Sequence, residues 1–221
     1  MNLRVLLLAM PLTLAACTSA MATPGVTGMM KTSATAAVPD TAPGFIPGPV
    51  TSGTFKKWAE GATAVTYDTT AVPVGATAEV TVAESVSGVR VTAAVNGLVP
   101  GRAYGAHLHT NSCTADPAEA GPHYQNRIDP GAGPGKPSSD PEYANPENEI
   151  WLDFTADEEG AGTASSVQKW RFDEKRPPWS FVLHERTTTH TGHGEAGTAG
   201  ARLACLTRDP MPVYTERAGR G

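Results

Sequence analysis

Short stretches in which β-branched and polar residues alternate recur along the middle of the 221-residue chain. Such alternation is typical of strands with one buried face, and Gly and Pro, with 23 and 19 copies, supply turns between them. Long amphipathic helical patterns are missing from the sequence. The stretches with strand character are 62–69, 77–85, 89–101, 102–110, 149–157, 162–172, 180–186 and 201–208. About eight short strands around one core predict an all-β, immunoglobulin-like Greek-key sandwich or barrel.

A proline-rich segment with little strand character separates Cys113 from Asn148. A loop of that length inside a compact domain is normally functional or mobile. The strand that follows it places Ile150, Leu152 and Phe154 on one face, because side chains alternate across a strand.

The first 17 residues are typical of a secretory signal peptide. Arg4 gives a short basic start, an apolar run follows, and small residues lead to Cys17. The sequence LAAC at 14–17 resembles the bacterial lipobox, whose cysteine is lipidated. This predicts an exported protein, lipid-anchored through Cys17 on the outer face of the bacterial cell membrane. The alternative is a plain signal peptide with a chance cysteine. No second apolar stretch is long enough to cross a bilayer.

Composition divides the rest of the chain into three parts. Residues 18–53 lack periodicity and are rich in Ala, Thr, Pro and Gly, which predicts a flexible tether. The ordered β domain is expected over 54–209, starting near Thr54, and 210–221 is expected to be a disordered tail. The formal net charge of −5 argues against a general nucleic-acid binder, so we expect no nucleic-acid partner.

The chain contains three cysteines, Cys17, Cys113 and Cys205. If Cys17 carries lipid, an even pair remains in an exported, oxidising compartment. This predicts a disulfide between Cys113 and Cys205, and the alternative is two free thiols.

All six histidines lie between positions 107 and 193. His107 and His109 are one residue apart on a predicted strand, so they face the same way and Leu108 faces the other. They are either two surface histidines on an edge strand or a pair of metal ligands.

Several motifs, in order along the chain, resemble the copper/zinc superoxide dismutase family. They are GLVPGRAYGAHLH, a cysteine followed by AGPHY, FVLHE and GTAGARLAC, and the resemblance covers roughly residues 60–208. It implies a Greek-key β-barrel with long active-site loops. It also implies a copper-dependent enzyme that disproportionates superoxide to O₂ and H₂O₂ outside the cytoplasm.

Carried over residue by residue, the resemblance implies a copper site with an arginine beside it. The implied copper ligands are His107, His109, His123 and His184. Arg202 is implied as the arginine that guides the anion, and Cys113 and Cys205 as the disulfide that could steady it. His123 is implied as a catalytic residue, because in two-metal members it would bridge copper and zinc and shuttle a proton. Neutral imidazole binds both Cu(II) and Cu(I) acceptably.

The zinc half of the family site is not matched. The region between His123 and the next predicted strand contains no histidine, and Asp129, Asp140 and Glu149 are poor substitutes for zinc's N and S ligands. Thr188 stands where the family usually has an aspartate that links the two metal sites, and the loop around it is shorter than usual. These departures resemble the copper-only branch, so we expect copper without a family-type zinc site.

His190 and His193 lie in a Gly-rich loop outside these motifs. Their functional interpretations are a labile metal site, a copper-loading site or a zinc site of local design. The alternative is a solvated loop without a metal.

Three functions are compatible with these residues. The first is a superoxide dismutase, with superoxide as substrate and the membrane as an anchor. The second is a non-catalytic copper-binding lipoprotein for buffering or delivery, although storage has no need of an anion guide such as Arg202. The third, a structural β domain that retains its histidines by descent, is the weakest because ligands and cysteines are intact. The sequence leaves open whether the domain forms a homodimer.

Overall fold

The structure is a computed structural model that describes residues 44–133 and 135–208. Its regular elements are nine strands and one turn of 3-10 helix at Pro117–Ala120. The strands are β1 (Ile46–Thr54), β2 (Ala64–Thr66), β3 (Thr77–Glu84), β4 (Val89–Asn96), β5 (Ala103–His109), β6 (Phe154–Thr155), β7 (Gly162–Gln168), β8 (Ser180–His184) and β9 (Arg202–Thr207).

The strands form two antiparallel sheets that pack face to face. One sheet has the order β1-β3-β4-β7 and the other the order β2-β9-β8-β5-β6. The chain passes between the sheets on either side of β2, after β4 and on either side of β7, so strands that are distant in sequence become neighbours. The predicted all-β Greek-key sandwich is confirmed.

Alternating side chains of both sheets fill the space between them. In β4 every second residue, from Val89 to Val95, is buried, while the residues between them are partly exposed. Leu108 of β5 is fully buried in the same core, with Phe181 and Leu183 of β8. Leu108 therefore faces the core as its place between two histidines predicted, and the histidines face the opposite side of the sheet.

The sandwich begins earlier than the expected start near Thr54. Strand β1 covers Ile46–Thr54 and pairs with β3, although residues 46–53 were assigned from the sequence to the tether. Proline is tolerated here because β1 is an edge strand and its register shifts between Pro47 and Val50. The Pro and Gly residues that suggested a tether instead mark an irregular edge.

The predicted strand over 149–157 shortens to β6. The alternation itself holds, since Ile150, Leu152 and Phe154 are buried. Pairing with β5 is interrupted because the side chain of Asp153 accepts the hydrogen bond of the Ala106 N–H. This irregular stretch lies beside the histidines of β5.

The lipobox with Cys17, the tether up to residue 43 and the tail over 210–221 lie outside the described residues. Within the part of the chain that the structure describes, no helix is long and apolar enough to cross a membrane.

We expect Leu108→Ala to lower the free energy of unfolding by about 2–5 kcal/mol, because it leaves a cavity in a closely packed core. Leu108 is 0% exposed, whereas Val86 is 97% exposed. The matched variant Val86→Ala should change stability by less than about 0.5 kcal/mol. Chemical denaturation of both variants measures this, and equal effects would contradict the assigned core face of β5.

Candidate metal centre

Four histidines converge on the outer face of the β5–β8 strand pair, opposite the core. His107 and His109 come from β5, His184 ends the neighbouring strand β8, and His123 follows the 3-10 helix and pairs singly with His109. One nitrogen from each ring lies within 4.8 Å of the corresponding atoms of the others. In the described ranges this is the one group of three or more His, Cys, Asp or Glu side chains close enough to share a metal ion.

Three of these rings are buried and uncharged at neutral pH. Burial is the main cause that holds the pKa values of His107, His109 and His184 well below their usual range, and the electrostatic interaction of each ring with neighbouring His123 lowers them further. A neutral imidazole has one nitrogen with a free lone pair, which is the form that binds metals.

In three of the rings, Nδ1 donates a hydrogen bond to an oxygen outside the cluster, and we call this nitrogen the outer nitrogen. The hydrogen bond decides which nitrogen is left free. Nδ1 of His109 lies 2.9 Å from the Gly121 carbonyl oxygen, and Nδ1 of His184 lies 3.4 Å from that of Gly200. Nδ1 of His123 lies 2.9 Å from Oε2 of Glu149. Each acceptor fixes the proton on Nδ1 and leaves Nε2 for a ligand. The Nε2 atoms of His109 and His184 lie 3.1 Å apart.

His107 has the opposite arrangement. Its Nε2 lies 2.8 Å from Oγ1 of Thr189, and its buried Nδ1 has no hydrogen-bond partner in the described residues. A buried nitrogen without a partner is costly unless a ligand satisfies it. Four imidazole rings, one of them with an orphaned nitrogen, fit a transition-metal ion for which imidazole is a suitable donor, copper among them.

The buried carboxylate of Glu149 lies beside His123. Its Oε2 accepts from Nδ1 of His123 and, at 2.8 Å, from Nε1 of Trp151, while Oε1 accepts from Nε2 of Gln125 at 2.9 Å. The side chain is buried, and three protein side chains donate hydrogen bonds to its two oxygens. Sequence reasoning treated Glu149 only as a weak zinc ligand and did not find this role.

The other two carboxylates considered for zinc are used within their own loop. Asp129 accepts from the Gly131 N–H at 2.7 Å and from Oγ of Ser138 at 2.6 Å. Asp140 accepts from the Glu142 N–H at 2.9 Å. The structure therefore does not bring Asp129, Asp140 and Glu149 together.

Arg202 is fixed against the segment that carries the 3-10 helix. Its Nη1 donates to the carbonyl oxygens of Pro117 and Ala118 at 2.6 and 2.9 Å, and its Nη2 donates to that of Gly121. The same Gly121 oxygen accepts from His109, and Gly121 has a φ of +76°, a conformation that favours glycine. The charge of Arg202 also contributes to the lowered pKa values of His109 and His184, which places it near the cluster.

A disulfide joins Cys113 and Cys205, as predicted. The bond links the start of the 113–121 segment to β9, the strand that begins with Arg202. A closed loop with a sequence separation of 92 residues is worth about 4–5 kcal/mol in the chain-entropy account. The disulfide therefore joins the strand that begins with Arg202 to the segment whose carbonyl oxygens accept hydrogen bonds from Arg202.

His190 and His193 lie apart from the four-histidine cluster. His190 contacts Nη1 of Arg186 at 2.7 Å and Oε2 of Glu195 at 3.0 Å, and His193 is exposed. Neither belongs to a group of three metal-ligating side chains in the described chain.

A family model described as copper/zinc superoxide dismutase (SODC) matches residues 74–207, which is more than half of the chain. The match begins just before β3 and ends with β9, so it spans the four histidines, Arg202 and the disulfide. A comparison with curated proteins gave no match.

We expect the metal-free protein to lose stability as the pH falls below about 6.5. His107, His109 and His184 take up protons near that pH in the unfolded chain, but only at lower pH in the folded one. The unfolded state then binds more protons, so the free energy of unfolding falls by up to ~1.4 kcal/mol per pH unit for each histidine.

Denaturation of chelator-treated protein between about pH 7.5 and pH 5 measures this effect. Asp68 and Asp129, whose pKa values are lowered by hydrogen bonds, affect stability only at more acidic pH. His193→Gln, which changes an exposed histidine, should leave the pH dependence intact. A constant free energy of unfolding across this window would contradict the neutral buried cluster.

Proposed function

Because the chain belongs to the copper/zinc superoxide dismutase family, we propose that it disproportionates superoxide to O₂ and H₂O₂ at a copper ion. The proposed ligands are His107, His109, His123 and His184. One observation carries the proposal: four imidazoles converge, and each keeps one nitrogen that its other hydrogen bond leaves free. Copper, when bound, supplies a one-electron couple that can both accept an electron from superoxide and return one.

Arg202 is proposed to attract and hold the anion. A guanidinium has five N–H groups, and three of those of Arg202 donate to carbonyl oxygens, which leaves two for a ligand. Although burial lowers the pKa of Arg202, a guanidinium stays protonated at neutral pH. A small anion near the histidines is attracted by the fixed positive charge beside them. This local attraction is stronger than the repulsion from the net charge of −5 of the whole chain.

His123 is proposed as the ligand nearest to solvent. Its side chain is 14% exposed, while His107 and His109 are 0% exposed. Since Nδ1 of His123 is held by Glu149, the two protons that H₂O₂ requires are proposed to come from water at this open side. Glu149 then keeps the His123 ring oriented throughout the reaction.

We further propose that the site holds copper alone. A ring that bridges two metals must offer both nitrogens, but the Glu149 carboxylate accepts a hydrogen bond from Nδ1 of His123. Gln125 and Trp151 occupy further lone pairs of the same carboxylate. These contacts support a protein hydrogen-bond network in the place of zinc.

The protein is proposed to act outside the cytoplasm, anchored through Cys17 to the outer face of the bacterial cell membrane. The lipobox-like sequence supports the anchor, and the Cys113–Cys205 disulfide supports an oxidising compartment. There the enzyme would meet superoxide that arrives from outside the cell.

Copper-loaded protein should contain one copper and no zinc per chain and should accelerate superoxide decay. His123→Ala should lower the decay rate at least about 10-fold, because loss even of an outer partner of a metal ligand costs that much. The exposed His193→Ala serves as the control and should leave the rate unchanged. Metal analysis and pulse-radiolysis decay of the same samples measure both quantities. Tight copper binding without decay would contradict the enzyme and favour copper buffering or delivery.

Glu149→Gln should weaken Cu(II) binding about 10- to 100-fold, because a neutral amide is a poorer acceptor for the Nδ1–H of His123. Glu142→Gln, at an exposed ion pair with Arg127, is the matched control and should leave the affinity unchanged. Competition with a chelator of known copper affinity measures the effect. Equal copper affinities for both variants, or a second metal bound by the wild-type protein in excess zinc, would contradict the role of Glu149.

A further inference from the structure

His107 differs from the other three histidines in the nitrogen that it leaves free. The outer nitrogens of the other rings are Nδ1 atoms, whereas the outer nitrogen of His107 is Nε2. Its partner is Oγ1 of Thr189, a buried residue of the loop over 187–200 between β8 and β9. A hydroxyl can donate or accept, so the contact alone does not fix the tautomer of His107.

Asp153 fixes the direction of this hydrogen bond. Its Oδ1 lies 3.0 Å from Oγ1 of Thr189, and its Oδ2 accepts from the Thr189 N–H at 2.7 Å. A carboxylate only accepts, so the hydroxyl hydrogen of Thr189 lies on the side of Asp153. The hydroxyl oxygen must then accept from His107, which therefore carries its proton on Nε2 and its lone pair on the buried Nδ1.

Asp153 acts through Thr189 and not directly on the ring. The distance from Oδ1 of Asp153 to Nε2 of His107 is 3.7 Å, which is too long for a hydrogen bond. Asp153 is itself held in place, because the same Oδ1 accepts from the Ala106 N–H next to His107. The sequence predicted that Thr188, in place of the family's aspartate, would remove a hydrogen-bond partner of the metal-ligating histidines. Thr188 is exposed, but the neighbouring Thr189 is buried and supplies such a partner to His107.

The same loop supports a second histidine at its other end. The Gly200 carbonyl oxygen accepts from Nδ1 of His184, and backbone hydrogen bonds join Arg186 to Gly105 and to Ala199. The loop over 187–200 therefore holds the outer nitrogens of His107 and His184, one near each end. If this loop unfolds locally, both rings lose the contacts that orient them.

We propose that Thr189 and Asp153 are a positioning pair that selects the Nε2–H tautomer of His107 and makes metal binding depend on an ordered 187–200 loop. The inference rests on the proposed function only in that a metal binds the four histidines; it does not require turnover of superoxide. Because binding and loop order are linked, the metal should in turn stabilise the loop.

The first test uses the metal-free full chain. Long-range ¹⁵N–¹H NMR correlations of the imidazole rings report the tautomer of His107 directly. The wild type and Thr189→Ser, which keeps the hydroxyl, should show a single Nε2–H form. Thr189→Val, which keeps the shape but removes the hydroxyl, should show a mixture or the Nδ1–H form. A pure Nε2–H form in Thr189→Val would overturn the proposal.

The second test measures Cu(II) affinity by chelator competition and the copper environment by electron paramagnetic resonance. Thr189→Val should bind Cu(II) about 10- to 100-fold more weakly, with altered hyperfine splitting, and Thr189→Ser should restore both. Thr92→Val, which removes a hydroxyl that contacts Ser165 on the outer face of β4, is the matched control. Wild-type affinity and spectrum in Thr189→Val would overturn the proposal.

Loop order is measured by hydrogen exchange, with copper added to the metal-free wild type. Copper should raise protection of amides in 187–200, and this effect should shrink in Thr189→Val. Protection confined to β5 and β8 would overturn the link to the loop. Superoxide decay, recorded on the same samples, tests the proposed function separately: copper binding with these tautomer effects but no decay refutes the enzyme and leaves the positioning pair standing.

Discussion

Four imidazole rings can be packed around one point only if they stay largely uncharged and each outer nitrogen finds a hydrogen-bond partner. This constraint organises the loops of the molecule. The strands bring His107, His109 and His184 onto one face, but the partners of the rings come from outside the strands. Backbone carbonyls serve two rings, and the side chains of Thr189 and Glu149 serve the other two. The sandwich therefore builds the cluster, and the loops determine which nitrogens it presents.

The carboxylate of Glu149 gives the site its asymmetric support. It accepts a hydrogen bond from Nδ1 of His123, and it is itself held by hydrogen bonds from Gln125 and Trp151. Arg202 is bound by carbonyl oxygens of a segment that the disulfide joins to its own strand. A fixed cation near His109 and His184 and a fixed carboxylate on His123 support the proposal of a single metal that an anion approaches from solvent.

Much of this arrangement could be predicted from the sequence, because period-two patterns and closely spaced motifs are local. The alternation around Leu108 predicted both the core and the face of the two histidines beside it, and the structure confirms them. The roles of Glu149, Asp153 and Thr189 could not be predicted, since their partners lie 26, 36 and 82 residues away in sequence. The strand β1 was missed because its prolines resemble a linker unless the edge position is known.

The central claim is that this family member presents four imidazoles to one copper ion, with a carboxylate in place of zinc. A crystal structure of the protein grown with both metals, with anomalous data at the copper and zinc edges, tests it most directly. The account predicts one copper peak, bound by Nδ1 of His107 and Nε2 of the other three histidines, with Glu149 still bonded to Nδ1 of His123. A zinc peak between His123 and Glu149 would contradict it.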